Sequence, residues 1–150
     1  MNQSRIICAG FNDLQVLQKG WYGVERSPEG IYFRASSAHA EIPCTGLKGK
    51  LNLTLFLSCR AEHTRQPLQV NIFTTKEDSV RWNLNTNHWT TRTGTLERVE
   101  NGIIHIEVEN PWSPDALYQN GDVRSLGILL SAIRLEPVSA ERTLSASGQG

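Results

Sequence analysis

The sequence has few cysteines, no excess of either charge and no long apolar run. Its 15 basic and 15 acidic residues cancel, and the basic residues are scattered, whereas a nucleic-acid surface clusters Lys and Arg against phosphates. No apolar run approaches the ~20 residues of a membrane-spanning helix, and the first residues lack the basic and apolar regions of a secretory signal. We therefore expect no nucleic-acid partner, no membrane span and a cytoplasmic location.

The three cysteines, Cys8, Cys44 and Cys59, lie far apart and form no Cys-x-x-Cys pair. Their spacing does not predict a metal site. Buried thiols in a reducing compartment are the main prediction. One disulfide with a leftover thiol is the alternative, if the chain belongs to a secreted protein. We expect no cofactor and no metal.

No catalytic motif is present. The sequence contains no Gly-x-Ser-x-Gly elbow, no glycine-rich phosphate loop and no His-x-x-x-His pair. His39 and Glu41 fall on one side of an alternating segment and can form a base with its orienting carboxylate. The alternation of a solvated strand explains the same pattern more simply. The sequence therefore predicts a protein that is not an enzyme.

Alternating apolar and polar residues predict β-strands along most of the chain. The clearest strand spans residues 50–59. Leucine stands at every second position from Leu51 to Leu57, and Cys59 follows on the same face. Residues 67–72 and 103–109 alternate in the same way. No stretch of 12 or more residues has the period of an amphipathic helix, and only residues 114–119 are expected to form a helical turn.

Two turns predict β-hairpins. The segment Ser27-Pro28-Glu29-Gly30 has the composition of a tight turn and is expected to join strands on either side of it. Asn101-Gly102 suits a type I′ turn, whose twist matches that of a hairpin. It is expected to pair residues 94–100 with residues 103–109.

The apolar run 126–135 ends the predicted domain and changes phase near Ser131, which predicts either burial on both faces or a β-bulge. Residues 138–150 have no core-forming pattern and are expected to be a flexible tail after a single domain of residues 1–137. Seven to nine short strands indicate an all-β fold. We predict an antiparallel two-sheet β-sandwich that is jelly-roll-like, since the Cys–Trp–Cys spacing of immunoglobulin domains is missing.

Aromatic residues near the predicted loops are the main candidates for ligand binding. Trp82 and Trp89 enclose a segment that contains three asparagines. An indole face can stack on a sugar ring while amides bond its hydroxyls, in the usual pattern of an apolar platform with a few polar groups. The sequence therefore favours carbohydrate as the ligand. The predicted ligand-binding residues are Trp82, Asn85, Asn87, Trp89, Trp112, Asp115, Tyr118 and Arg124.

Phe56 and Phe73 lie on the polar faces of two alternating strands. If those strands are neighbours, the two rings form an exposed patch. Burial under the N-terminal segment or under an oligomer partner is the favoured alternative, because large apolar rings are usually packed. The patch is the basis of a second functional hypothesis, a protein-interaction domain that assembles through a sheet face, for example as a homo-oligomer.

Asp122 and Arg124 precede the apolar run and fall on the same face. A bidentate ion pair that holds the loop is the main prediction, and binding of an acidic sugar or a phosphate by Arg124 is the alternative. Asp115 and Asp122 can also contribute to a calcium site, although calcium takes six to eight oxygen ligands.

Three segments carry a pattern that is typical of one family. They are Gly20-Trp21-Tyr-Gly-Val-Glu25, Pro111-Trp112-Ser-Pro114 and Asp122-Val-Arg124-Ser125-Leu-Gly127-Ile. With them, the sequence resembles a β-sandwich module of bacterial polysaccharide-biosynthesis proteins, which accompanies glycosyltransferase and methyltransferase domains. The resemblance implies a non-catalytic, carbohydrate-binding accessory domain with a glycosyltransferase or methyltransferase domain as a partner.

Overall fold

The computed structural model describes residues 3–59, 66–85, 87–100 and 102–138, which form ten β-strands and one short helix. The strands are β1 Arg5–Cys8, β2 Trp21–Arg26, β3 Tyr32–Ser36, β4 His39–Pro43, β5 Gly49–Ser58, β6 Leu68–Thr75, β7 Asp78–Leu84, β8 Thr90–Val99, β9 Ile103–Val108 and β10 Leu129–Pro137, and the helix is α1 Pro114–Tyr118. Within the described residues, no helix is long and apolar enough to span a membrane. The predicted tail lies, after its first residue, outside the described residues and stays a prediction.

The strands form two antiparallel sheets. Sheet A has the order β2–β3–β10–β5–β8, and β1 pairs with the C-terminal part of β10. Sheet B has the order β4–β9–β6–β7. The predicted all-β, two-sheet sandwich is confirmed, with one strand more than the upper limit of the prediction.

The main core lies between the two sheets. Leu53, Leu55 and Leu57 of β5 are fully buried from the side of sheet A, and Ile104 and Ile106 of β9 from the side of sheet B. Each such side chain contributes about 1.5–3 kcal/mol when it leaves water. Period-two alternation therefore determines which face of each strand packs inward.

The two predicted hairpins have different outcomes. The first is confirmed, because β2 and β3 pair on either side of the turn at residues 27–30. The second is wrong, because β8 lies beside β5 in sheet A while β9 lies in sheet B. At Gly102 the chain passes between the sheets with φ 69°, and the carbonyl of Gly102 accepts a hydrogen bond from the Cys44 amide at 2.7 Å. Long-range strand pairing has overridden the local turn preference.

The phase change in β10 is a β-bulge. Leu130 pairs with Leu57 and Ala132 pairs with Phe56, so the register shifts around Ser131. On the N-terminal side of the bulge, the adjacent Leu129 and Leu130 are 3% and 0% exposed on opposite faces of the sheet. Both predicted explanations of the phase change, a bulge and burial on both faces, are therefore confirmed.

The predicted patch of Phe56 and Phe73 does not form, because β5 and β6 belong to different sheets. Phe56 lies on the outer face of sheet A with its ring centroid 5.6 Å from that of Trp89. Phe73 lies on the outer face of sheet B, is 7% exposed and stacks on His105. Phe56 is half-buried, and cover of the two rings by the N-terminal segment or by a partner stays a prediction.

The cysteines are reduced thiols, as predicted, and the disulfide alternative is wrong. Cys44 and Cys59 are buried and Cys8 is half-buried. Burial raises the pKa of the Cys44 thiol, against an opposing effect of the nearby Arg5. The thiols thus belong mainly to the packing of the sandwich.

Candidate functional site

The loop from Trp112 to Leu126, here called the 112–126 loop, forms one wall of the candidate site. Its ends are joined by two backbone hydrogen bonds, from Trp112 N to Leu126 O at 2.9 Å and from Leu126 N to Trp112 O at 2.6 Å. Inside the loop, Asp115 N donates to Asp122 O at 2.8 Å. These bonds make the loop a closed, compact unit.

Helix α1 is the helical turn predicted for residues 114–119. Pro114 stands at its start, where a missing amide proton costs nothing. Gln119 ends it in the left-handed conformation with φ 53°. The Asp115 carboxylate accepts a hydrogen bond from Gly121 N at 2.6 Å, so this predicted ligand-binding group also holds the loop together.

A cleft of about 170 Å³ lies between the 112–126 loop and the outer face of sheet A. The loop contributes Trp112 and Tyr118, of which Tyr118 is 51% exposed. The residues that line this Tyr118 cleft are Glu25, Phe33, Trp112, Pro114, Tyr118, Asn120, Arg124, Leu126 and Leu129. Aromatic and aliphatic walls therefore meet a group of charged and amide side chains.

A second apolar cluster supports the cleft from below. Phe33, Ala35, Leu126 and Leu129 are buried together on the outer face of sheet A, and Trp112 packs against them. The indole Nε1 of Trp112 donates to the carbonyl of Gly127 at 3.2 Å. Because the packing and this hydrogen bond both hold its ring, Trp112 forms a rigid wall of the cleft.

Arg124 connects the loop to strand β2. Its Nε and Nη2 donate to the two carboxylate oxygens of Asp122 at 2.9 and 2.7 Å, and its Nη1 donates to Glu25 at 3.0 Å. The guanidinium also lies over the Tyr22 ring, 5.4 Å from the centroid. The predicted bidentate pair is confirmed and extends to a third charged residue.

This network shifts the titration of both loop residues. The hydrogen bond from Arg124 is the main reason why the pKa of Asp122 lies below its usual value. The same bond is the main reason why the pKa of Arg124 is raised. One guanidinium faces the carboxylates of Asp122 and Glu25, so the formal charge of the group is about −1 at neutral pH.

The same network argues against the predicted alternatives for these residues. The Arg124 guanidinium already donates to two carboxylates, so it is poorly suited to bind an acidic sugar or a phosphate. For calcium, the Asp122 carboxylate is directed to Arg124 and the Asp115 carboxylate to the Gly121 amide. The two acidic residues therefore do not converge on a common cation position.

Trp89 lies one ring away from the Tyr118 cleft. Its centroid is 5.5 Å from that of Phe33, which lines the cleft, and 5.6 Å from that of Phe56. Trp89 therefore extends the aromatic surface of sheet A from the cleft toward β5.

The other predicted residues lie elsewhere. Trp82 is half-buried on the core side of β7, and a Cβ added to Gly94 of β8 would lie 3.4 Å from its Cζ2. Trp82 therefore packs where the edges of the two sheets meet. Asn85 and Asn87 are exposed in the connection from β7 to β8 and do not line the Tyr118 cleft.

Three important lining residues were missing from the sequence prediction. Glu25 lies in the first segment of the family resemblance, Phe33 follows the predicted turn, and Leu129 lies in the apolar run 126–135. Each position carried a local signal. Their convergence depends on the pairing of β2, β3 and β10 in sheet A, which the local pattern does not specify.

A larger cleft of about 380 Å³ lies on the other side of Trp112. Its lining residues are Gln66, Asn110, Pro111, Trp112, Ser113, Ala116, Leu117 and Ser125. Trp112 is the one residue that lines both this cleft and the Tyr118 cleft. The aromatic and charged groups that suit a polar ring-shaped ligand are concentrated in the Tyr118 cleft.

On the opposite side of the molecule, His39 and Glu41 share the outer face of sheet B, which confirms that they point the same way. The intervening Ala40 and the following Ile42 are fully buried. His105 of β9 lies directly across from Glu41. The pair of side chains predicted from alternation is therefore a group of three in the folded chain.

No family model and no curated protein sequence matches the chain. Among solved structures, it is similar to a ruminal GH26 endo-β-1,4-mannanase with a TM-score of 0.51 and 13% identity, over 93% of this chain and 27% of that chain. It is also similar to a carbohydrate-binding module of Cellvibrio mixtus lichenase 5A in complex with cellotriose (TM-score 0.49, 11% identity, 90% and 98% covered). A third similar structure is the Podospora anserina GH26-CBM35 β-(1,4)-mannanase, with a TM-score of 0.49 and 10% identity over 93% of this chain and 28% of that chain. The chain thus spans about a quarter of the ruminal mannanase, and this likeness supports the two-sheet fold.

Proposed function

We propose that the chain is a non-catalytic carbohydrate-recognition module and that the Tyr118 cleft is its binding site. The composition of the cleft carries this proposal. The exposed ring of Tyr118 and the apolar rings of Trp112 and Phe33 stand beside the charged group of Arg124 and Glu25. Small-ligand sites commonly combine such an apolar platform with a few fixed polar groups.

The charge of the cleft favours a neutral sugar. Carboxylates accept hydrogen bonds but do not donate them, so the carboxylate of Glu25, which lines the cleft, suits the hydroxyl donors of a sugar. The formal charge of about −1 on the Arg124 group disfavours uronic acids and phosphorylated sugars. A hydroxyl-rich, uncharged ring is the ligand class that satisfies both conditions.

The size of the cleft favours one sugar ring. Its volume of about 170 Å³ is below the ~300 Å³ at which enclosed sites for larger ligands begin. We therefore assign the cleft to a terminal or branching residue of a glycan. A run of several consecutive sugars would extend beyond it, along the aromatic surface toward Trp89.

We further propose an accessory role beside an enzyme that builds or modifies polysaccharide. The same fold makes up about a quarter of the ruminal mannanase chain, an arrangement that fits a module attached to a larger enzyme. The three segments that carry the family resemblance support a glycosyltransferase or methyltransferase domain as the partner. They include Glu25 and Arg124, which join two of those segments in the cleft.

The test is a screen of the wild type against neutral and acidic glycans. Each glycan that binds is then titrated into the wild type and into the Tyr118→Ala variant. We expect saturable binding of neutral glycans, read from tryptophan fluorescence because Trp112 lines the cleft, and a weakening of at least about tenfold in the variant, equal to ~1.4 kcal/mol. Tyr32→Ala is the matched control, because Tyr32 is a similarly exposed tyrosine, 53% against 51%. It should bind as the wild type does.

Two results would contradict the proposal. One is an absence of saturable binding across the neutral glycans. The other is an equal loss of binding in Tyr118→Ala and Tyr32→Ala, which would mean that the ligand is not held by the cleft. Preference for acidic glycans would leave the cleft in place and overturn its assignment to neutral sugars.

A further inference from the structure

Three side chains with metal-binding atoms meet on the outer face of sheet B. His39 and Glu41 are two residues apart on β4 and therefore point to the same side. On β9, His105 is directly opposite Glu41, and Glu107 is directly opposite His39. Opposed residues of an antiparallel pair have Cβ atoms about 4.5–5.5 Å apart, so their functional groups can reach one another.

The distances between the donor atoms suit a single small ion. His39 Nε2 and His105 Nδ1 lie 3.0 Å apart. One ring nitrogen of each histidine and a carboxylate oxygen of Glu41 all lie within 4.8 Å of one another. Ligands 2.0–2.2 Å from a tetrahedral zinc ion lie about 3.3–3.6 Å apart. Small side-chain rotations therefore bring all three atoms to coordination distance.

The backbone of His39 and the ring of His105 are held by their surroundings. The hydroxyl of Ser37 donates to the carbonyl of His39 at 2.8 Å and accepts from its amide at 3.3 Å. The ring of His105 stacks on Phe73, with an interplanar angle of 24° and centroids 5.4 Å apart. Ligands that are positioned by packing and hydrogen bonds lose less freedom when an ion binds.

The local charge also favours a cation. Glu41 and Glu107 place two carboxylates at this position, and the Lys19 ammonium lies 3.7 Å from Glu41. The Lys19 side chain is 80% exposed, so this ion pair is weak and exchangeable. A divalent ion can displace Lys19 and neutralise the remaining charge.

We propose that His39, Glu41 and His105 bind a divalent transition-metal ion of the zinc type. Two imidazoles and a carboxylate suit zinc, copper and nickel, whereas calcium and magnesium prefer oxygen ligands in larger number. Three protein ligands leave a fourth position for water or for an oxygen atom of a bound molecule. The site lies on sheet B and is independent of the Tyr118 cleft on sheet A.

Titration of the metal-stripped full chain with Co²⁺, a spectroscopic substitute for zinc, tests the site. We expect one equivalent to bind with the visible absorption of a tetrahedral ion. His39→Ala and His105→Ala should each weaken binding by at least about tenfold, because loss of even an outer-shell partner costs ~10–100-fold. His88→Ala removes an exposed histidine from the β7–β8 connection and should bind as the wild type does.

Thermal unfolding separates loss of the site from loss of the fold. His39 is exposed, so the metal-free His39→Ala variant should melt close to the wild type. Zinc should raise the melting temperature of the wild type, because an ion that binds only the folded state stabilises it, and should leave that of the His39→Ala/His105→Ala double variant unchanged.

The half-buried Cys8 is the competing donor that the experiment must exclude. A thiolate-to-cobalt charge-transfer band in the ultraviolet would assign the ion to a cysteine and overturn the proposal. So would binding that persists in the double variant, or a wild type that takes up no stoichiometric cobalt or zinc.

Discussion

Arg124 donates a hydrogen bond to Glu25 at 3.0 Å, although 99 residues separate the two in the chain. The same guanidinium holds both carboxylate oxygens of Asp122. The contact attaches the 112–126 loop to strand β2 and forms the charged side of the Tyr118 cleft. It also brings together the first and third segments of the family resemblance, so these distant stretches of sequence form one structural unit.

Replacing Arg124 by alanine should destabilise the fold by about 1 kcal/mol, the upper end for a partly exposed ion pair. The side chain is 32% exposed, so solvent screens the interaction. For a domain of this size the loss lowers the melting temperature by roughly 2–4 °C. Arg124→Lys keeps the charge but not the bidentate geometry and should lose roughly half as much. Calorimetry checks both variants, and an equal loss in Arg98→Ala, at an exposed arginine of β8, would contradict the prediction.

The contribution of this network to stability should depend on pH. The pKa of Asp122 is lowered, chiefly by the hydrogen bond from Arg124, so the folded state releases the proton more readily than the unfolded state. The stabilisation is therefore present above the usual value of 3.8 and is lost as the pH falls through the lower pKa of the folded state.

Denaturant unfolding of the wild type and Arg124→Ala measures this effect. The difference in their free energies of unfolding should narrow between about pH 7 and about pH 3. With Asp122→Asn as the background, the effect of Arg124→Ala should change much less over the same range. A difference that widens on acidification would mean that Asp122 is not the titrating partner.

Gly127 should not tolerate a side chain. A Cβ at this position would lie 2.5 Å from Ser36 Oγ, 2.7 Å from Val108 Cγ2 and 2.9 Å from the carbonyl oxygen of Ser37. We expect Gly127→Ala to cost about 1–3 kcal/mol, as overpacking does. Gly23→Ala is the control, because an added Cβ there has no neighbour within 4 Å. Urea unfolding compares the two variants, and similar stabilities would contradict the close packing of Gly127 against Ser36, Ser37 and Val108.

The three cysteines should differ in reactivity. The thiolate is the reacting form, and burial raises the pKa of the Cys44 thiol. Iodoacetamide should therefore modify the half-buried Cys8 first in the native protein, whereas Cys44 and Cys59 should react only after unfolding. Mass spectrometry of the labelled protein counts the modified residues. Cys8→Ser should remove the early modification, and rapid labelling of Cys44 would be the opposing result.

Several strands were predictable from the sequence, although β7, which contains Trp82, was not among them. In β5, a leucine at every second position indicates one buried face, and the structure buries all four leucines of that face. In β10 the shift of the alternation near Ser131 predicted either a bulge or burial on both faces, and a register shift is found there. Period-two patterning is a local property, so it survives without knowledge of the fold.

The pairing of the strands was only partly predictable. Residues 27–30 form the expected turn between β2 and β3, whereas β8 and β9, which follow each other in the chain, belong to opposite sheets. Turn chemistry reports the conformation of a few residues. It does not report that β8 pairs with β5 and β9 with β4 and β6.

The candidate sites, too, were predictable only as far as local patterns reach. The sequence alone determined the contact of Arg124 with Asp122, which are two residues apart, and the shared face of His39 and Glu41. Only the tertiary structure decided that Glu25 completes the first group and that His105, 66 residues from His39, completes the second. The physical reason is that alternation determines the face on which a side chain lies, while sheet order and register determine which other side chains share that position.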